Sequence, residues 1–502
     1  MEDSKMLNHK RFIQRGIVFI VLLVWLVGLT NKILMPKYYY NNLWPTTSTY
    51  VDFYEMKKNT VDILFLGSSH GMSSFSPQVL YDNFSLRSYN LSSPQQNLLV
   101  SYYWLKEALQ YQSPQVVVLD TYFLWPYLSD EALNSSEEET RKALDFMRWS
   151  KNKIEAINDV TTIDKEQCKE SYYFTNIRFH QRWKELTEDD FTFGEMEKHK
   201  GLKGYGALSG IWGGDEYSPF ELGVTDGKTK MHPIMKEYLE RIIQLCEQEE
   251  ITLILTKTPA LSVNIKNYNA LAEYAEENEI IYIDYNEETI YQEAGVDMSI
   301  DSQDSGHLNI WGAEKVTYHI GNYLKNNLKV EAAVDEQWEA SSEYYVQIKK
   351  NCELTQTTDM ARYLESIDNE RYTIFICIKD EGVNALNADL KNQLMSLGLT
   401  SDFDVENAYQ KSYYAVIDQG EVSEQMSEQM LKTSGTIRKG RESYSITSAG
   451  FMAGSGCSIK ISGVEYAKNE RGFNIVVYDN ELKKVVDSVA FDTYDVNLTA
   501  IR

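Results

Sequence analysis

Four short runs constrain this chain more than anything else in it: VDILFLG at 61–67, QVVVLDTY at 115–122, ITLILTKTP at 251–259 and IIYIDY at 280–285. Their apolar residues are continuous rather than alternating, which is the pattern of strands covered on both faces. RSYNLS, Arg87–Ser92, reads as a further short strand. Between and after them come stretches with helical apolar spacing: Asn97–Gln110, Met235–Glu249, Ala270–Glu279 and Trp311–Asn327. Strands alternating with helices predict a parallel sheet sandwiched between helical layers. Reactive residues in such sheets gather where strands end at their carboxyl edge. The first strand, within VDILFLG, ends in just such a place, at a Gly–Ser–Ser–His turn formed by residues 67–70.

A chain of 502 residues is too long for one ordinary domain. The reading divides it into a tail and anchor at 1–40, an α/β unit at 41–329 and a second unit at 330–502. The α/β unit is interrupted by an insertion at about 126–233, rich in charge and aromatics. Two readings of that insertion stay open, a substrate-facing cap and a structural helical excursion. The second unit reads as mixed α/β and mostly strand at its end. The stretch from Val330 to Lys350 reads as a linker or opening strand, and strands are expected at Arg371–Glu381 and in KSYYAVIDQGE, SYSITSAG, CSIKISGVEYA and GFNIVVYDN. A net charge of −25 argues against nucleic acid as a partner, because phosphate binding needs a basic face. The five cysteines have neither paired CxxC nor metal spacing, which excludes a disulfide-stapled fold and leaves one bridge, Cys377 with Cys457, open.

At the amino end, Lys10, Arg11 and Arg15 precede GIVFIVLLVWLVGL, Gly16–Leu29. Fourteen uncharged residues fall short of the roughly 20 that span a bilayer. Phe12, Ile13, Thr30 and the turn 33–35 extend them. A cleavable signal is the rival reading, but LTNKILMPK is a poor cleavage site. An uncleaved single-pass signal-anchor is favoured, with the basic flank in the cytoplasm and the rest of the chain outside.

A serine is a weak nucleophile unless a base takes its proton and a third group orients that base. Ser69 needs such partners. Among the seven histidines, His307 stands out in DSQDSGHLNIWG, with Asp304 three residues before it. One turn then supplies orienter and base, with Asp304 on Nδ1 and Nε2 facing Ser69. Asp301 has the wrong spacing. His70 adjoins the serine, but an extended turn points its side chain away, so a structural or substrate-contact role is expected of it. Tyr122 and Trp311 read as packing or pocket walls.

GSS after the first strand and DSGHLN before the last helix resemble the SGNH/GDSL family of serine esterases and acyltransferases, and within it the membrane-anchored DltD-like proteins of bacterial envelopes. The resemblance covers about residues 58–328. It implies a flavodoxin-like three-layer α/β/α domain, no cofactor and no metal, with Ser69 as nucleophile, His307 as base and Asp304 as its orienter. The family also carries a Gly in its second block and an Asn in its third, both serving an oxyanion hole. Here Ser92 stands in YNLSSPQQN where that Gly is expected, and LTKTPA offers no such Asn. The backbone N–H of Ser69, that of Ser92, and the side chain of Asn90 or Lys257 are the remaining candidates for that task. Lys257 is also a candidate to touch an anionic acceptor, with a solvated strand-end lysine the default.

The segment from about 340 to 502 resembles the ILEI domain, through RYTIFICIKDEG, SYYAVIDQG, the SAG turn at 448–450, SIKISGVEY, RGFNIVVYD and the FDTY ending. That resemblance implies a β-rich second domain with carbohydrate-binding capacity. Tyr413, Tyr414, Phe451 and Tyr478 are candidates for sugar stacking, with core packing the alternative. Together the readings predict a membrane-anchored extracytoplasmic serine O-acyltransferase or esterase acting on a cell-surface polysaccharide, with a membrane O-acyltransferase as partner by analogy. The alternative is a catalytically silent glycan-binding envelope protein.

Overall fold

The computed structural model describes residues 2–36, 46–126, 128–191, 201–214, 217–261, 264–440 and 442–502. Parts of the connector and of the insertion expected from the sequence lie outside these residues. Two compact units result, Met1–Tyr345 and Val346–Arg502.

The first helix, α1, runs Glu2–Leu34, and within it Arg11–Leu34 has a mean hydropathy of 2.4 with no residue of its most apolar window buried. Among the described residues it is the one helix long and apolar enough to cross a membrane.

The sheet of the first unit comprises β1 (Ile63–Gly67), β2 (Ser88–Ser92), β3 (Val116–Asp120), β4 (Thr252–Lys257) and β5 (Ile281–Asp284), all parallel, in the order β2-β1-β3-β4-β5. This is the flavodoxin-like order, and its topological switch point falls between β1 and β3. The continuous apolar runs have their expected cause. On β1, Leu64 and Leu66 enter one core while Ile63 and Phe65 enter the other, and β3 divides Val117 and Leu119 from Val116 and Val118 in the same way. Caps written in the sequence start the covering helices. Asn97 accepts from Val100 N ahead of Leu98–Ala108, and Asn309 accepts from Trp311 N and Gly312 N ahead of Ile310–Asn326. Pro233 opens Pro233–Gln248 at a position where its missing N–H costs nothing.

The insertion serves two purposes. Its first half folds as Glu137–Asp145 and Lys151–Ile163, which place Leu144, Ile157 and Val160 in the main core. Its later part, 203–212, runs from the edge strand β2 past the helix after Ser68 to the loop that precedes Asp304. Lys203 O accepts from Asn90 N at 2.9 Å, Gly206 N donates to Met72 O at 3.0 Å, and Trp212 N donates to Ser302 O at 2.8 Å.

The stretch placed in the sequence reading as a linker or opening strand is instead a helix, Glu336–Gln356. Trp338, Tyr345 and Cys352 recur every seventh residue and are all buried, so they form one helical face. Residues 330–345, assigned to the second unit from sequence, belong to the first: Trp338 lies in the main core of the first unit, and Tyr345 donates to Glu314.

In the second unit, Tyr372–Asp380 is paired antiparallel with Ser412–Asp418 on one side and Gly472–Asp479 on the other. Helices Met360–Ile367 and Ala388–Ser396 contribute Tyr363, Leu364, Leu390 and Leu394 to the core beside this sheet. A second core on its other side contains the disulfide-bonded Cys377 and Cys457. Of the aromatic candidates, Tyr413, Tyr414 and Tyr478 are core residues, and Phe451 is exposed.

Candidate active site

Gly67 ends β1 at φ +148°, and a Cβ there would stand 2.5 Å from Asp120 Cβ. Only glycine lets the strand end pass the end of β3 so closely. The chain then turns into the short helix Ser69–Ser74, with Ser68 as its cap. Ser68 is buried, and its Oγ donates to Asp120 Oδ2 at 2.5 Å, while its N–H donates to the same oxygen at 3.2 Å. Asp120 thereby fixes the turn, and Ser69 is left at the mouth of the switch-point crevice, part-exposed.

The structure brings Ser69, His307 and Asp304 together. His307 Nε2 lies 2.7 Å from Ser69 Oγ. His307 Nδ1 lies 2.9 and 3.0 Å from the two oxygens of Asp304. Asp304 Oδ1 also accepts from Gly306 N at 2.8 Å and His307 N at 3.0 Å, so the carboxylate orients its own loop as well as the ring. Asn309 pins the far end of that loop, donating to Gly210 O and Ile300 O while capping the last helix. A ring whose Nδ1–H is held by a carboxylate presents a basic Nε2 to the hydroxyl, which is the arrangement that activates a serine. Asp301 points elsewhere, ion-paired to Lys315 at 2.5 Å. The site is open: the Asp304 side chain is 51% exposed and that of His307 27%.

Three other candidates are placed differently from expectation. Asn90 cannot donate to a developing oxyanion, because its amide is spent on Gly71 O at 3.0 Å and Phe75 O at 2.9 Å. Ser92 is withdrawn too: its N–H donates to Asn90 Oδ1 at 3.1 Å. Its buried Oγ has no hydrogen-bond partner among the described residues and lies against Gly71. The side chain at 90 is buried between β2 and the helix after Ser69, so it satisfies backbone groups instead of facing the crevice. Lys257 is buried at the end of β4, where it donates to Thr258 O and lies 4.9 Å from the Tyr122 ring. Burial lowers its pKa, opposed by the nearby carboxylates of Asp120 and Asp284. It therefore sits behind the site and does not reach an acceptor. The Ser69 backbone N–H, at the start of its helix, makes no hydrogen bond among the described residues and remains as a donor for an oxyanion.

What stands behind His307 has no signature in the sequence pattern. His70 is buried and stacked between two rings, Tyr122 at 4.0 Å and His307 at 4.8 Å. Burial first, then the charges of Lys257 and His307, hold its pKa well below the usual imidazole range, against a hydrogen bond to the Gly306 backbone. A neutral ring thus backs the His307 imidazole. Asp120 carried one legible signal, a carboxylate closing an otherwise apolar strand at the sheet's reactive edge. The stacking of His70 carried none.

Against known proteins, residues 340–421 match the family model described as ILEI, Interleukin-like EMT inducer. No curated protein matches the chain. Among solved structures the chain is similar to a protein described as a lipolytic protein of the G-D-S-L family from Desulfitobacterium hafniense DCB-2. The two are 10% identical, with 52% of this chain and 97% of that one covered at a TM-score of 0.26. It is also similar to a protein described as an acylhydrolase from Bacteroides fragilis NCTC 9343, with 12% identity, 57% and 97% coverage and a TM-score of 0.27. The chain thus carries an ILEI-type segment at 340–421, joined to a three-layer α/β unit whose sheet order and serine–histidine–aspartate contacts stand on their own geometry.

Proposed function

We propose that this protein is a membrane-anchored, extracytoplasmic serine acyltransferase or esterase acting on a cell-envelope polysaccharide. The observation that carries the reading is the hydrogen-bonded series Ser69–His307–Asp304 at the carboxyl edge of a parallel sheet. Ser69 Oγ attacks the carbonyl of an acyl donor as its proton passes to His307 Nε2. Asp304 holds the resulting imidazolium, and the Ser69 N–H faces the oxyanion. The leaving alkoxide takes the proton from His307, and the acyl group stays on Ser69. A sugar hydroxyl, or water, then gives its proton to His307 and attacks the acyl-enzyme, and on collapse His307 returns that proton to Ser69 Oγ as the acyl group leaves.

Supporting features lie outside the site. Arg11–Leu34 suits a single-pass anchor, and the Cys377–Cys457 bridge suits an oxidising compartment. The ILEI-type unit holds the glycan, and a membrane O-acyltransferase supplies the acyl group. The second reading is a silent glycan-binding protein. It is favoured by one observation, that Asn90 and the Ser92 N–H are unavailable to an oxyanion. Intact mass spectrometry of the solubilised chain after exposure to a fluorophosphonate separates the two. An adduct on Ser69, formed at least about a thousandfold more slowly in His307→Ala, is expected of the enzyme. No adduct on folded protein leaves the binding reading standing.

A further inference from the structure

The end of α1 is not loose. Asn176 N donates to Asn31 Oδ1 at 3.0 Å, Asn176 Nδ2 donates to Thr30 Oγ1 at 2.9 Å, and Arg182 Nη1 donates to Leu34 O at 2.7 Å. All three bonds tie one stretch of the insertion, 170–191, to the last turns of the apolar span. That stretch carries Phe174, Ile177, Trp183 and Phe191 at 53, 44, 66 and 52% exposure. Beside it, Trp149 stacks on Tyr173 at 5.3 Å, and both are exposed. Lone exposed apolar residues need no explanation, but Phe174, Trp183 and Phe191 exposed along one short stretch, beside the stacked Trp149 and Tyr173, do.

Depth decides what covers them. At 1.5 Å per residue, the 24 residues of Arg11–Leu34 extend about 36 Å, against a hydrocarbon layer of roughly 30 Å. The turn that holds Asn176 and Arg182 is therefore at the level of the headgroups. Tryptophan and aromatic side chains are favoured at that level, where an apolar ring meets a wet boundary. Charge does not drive the contact, since acidic residues outnumber basic ones in 170–191 and the whole chain carries −25. Arg182 is moreover paired with Asp190 at 2.9 Å.

We propose that the segment 170–191 rests in the headgroup layer of a phospholipid bilayer, as a second membrane contact beside α1. The inference rests on the anchor reading of α1 and adds to it: the catalytic unit is held against the membrane surface and does not swing on a tether. Because the contact is apolar and aromatic, it forms on zwitterionic lipid and survives high salt.

The test uses the full chain in phosphatidylcholine nanodiscs with Cys168→Ser, which removes the exposed native thiol. Nitroxide labels are placed singly at Trp183→Cys, at Gln181→Cys, which leaves the aromatics intact, at Val224→Cys on an exposed site elsewhere, and at Leu26→Cys within the span. Collision with oxygen and with an aqueous nickel chelate is read by power saturation. The expected oxygen-to-nickel ratio at 183 and 181 exceeds that at 224 several-fold, with or without added salt. Ratios at both positions equal to that at 224 overturn the proposal and assign the aromatic face to a protein partner. The Leu26 label reports separately on the anchor: an aqueous reading there sinks the spanning helix, while 183 and 181 still decide the surface contact.

Discussion

Asp304 and His70 bracket the same imidazole, one by hydrogen bond and the other by stacking, and their replacements have different signatures. Asp304→Asn keeps the loop bonds but no longer favours the required tautomer, so kcat falls by about a thousand- to ten-thousandfold with little change in KM. Steady-state kinetics on a soluble ester read both quantities. His70→Phe preserves a ring between Tyr122 and His307, and activity stays within about tenfold. Its signature is in acid. The folded state holds His70 well below the ordinary imidazole pKa of about 6.5, so the unfolded chain binds the extra proton first. This contribution to stability is complete above about pH 6.5 and is lost as pH falls toward the folded value, by up to about 1.4 kcal/mol per pH unit. His319, also lowered by burial, adds to the same trend. Denaturant midpoints at pH 7.5 and 5 therefore differ less in His70→Phe than in the wild type, and an unchanged difference counts against the buried neutral ring. Ser69, His307 and Asp304 were legible because two of them share one turn and the chemistry names the third. Asn90, Ser92 and Lys257 were misread because a polar residue at a strand end is equally suited to serve a crevice or the backbone beside it. Only the neighbours, Gly71, Phe75 and Tyr122, decide which.

At the scale of elements, the parallel sheet was readable because burial on two faces leaves an unbroken apolar run in each strand. The helix Glu336–Gln356 was not, because its buried apolar residues, Trp338, Tyr345, Cys352 and Leu354, are few and share their burial with the polar Gln347 and Asn351. The insertion was opaque for a related reason: its first helices join the core, while 203–212 is held by backbone bonds that side-chain patterns do not encode. The junction of β1 with the next helix is the element on which the site depends. Gly67→Ala forces a methyl against Asp120 Cβ at 2.5 Å in a backbone conformation that L-residues avoid. A loss of about 1–3 kcal/mol is expected from this overpacking, read as an earlier unfolding transition of the first unit. Fluorophosphonate labelling of Ser69 slows as well, because the Ser68–Asp120 bond and the serine move together. A Gly67→Ala chain with wild-type stability and labelling contradicts the close approach.

Taken whole, the molecule joins a unit with no disulfide among its described residues to one whose covalent brace, Cys377–Cys457, closes a sequence separation of 80 residues. Replacing both cysteines by alanine costs the second unit about 2–4 kcal/mol through the freedom restored to its unfolded chain. Calorimetry should show the second unit's transition displaced downward and labelling of Ser69 unaltered; a loss of labelling would mean that the two units do not act separately. The open mouth around Asp304 and His307 has its own bearing on the proposed chemistry. Among the described residues Asp304 and His307 stay open to solvent, so the acyl-enzyme is in a race from the moment it forms. Water is always at hand, whereas a sugar hydroxyl wins only if the glycan dwells near Ser69 longer than the ester survives. The partition between modified polymer and wasted donor is then governed by residence time, and an enzyme starved of glycan idles as a slow esterase.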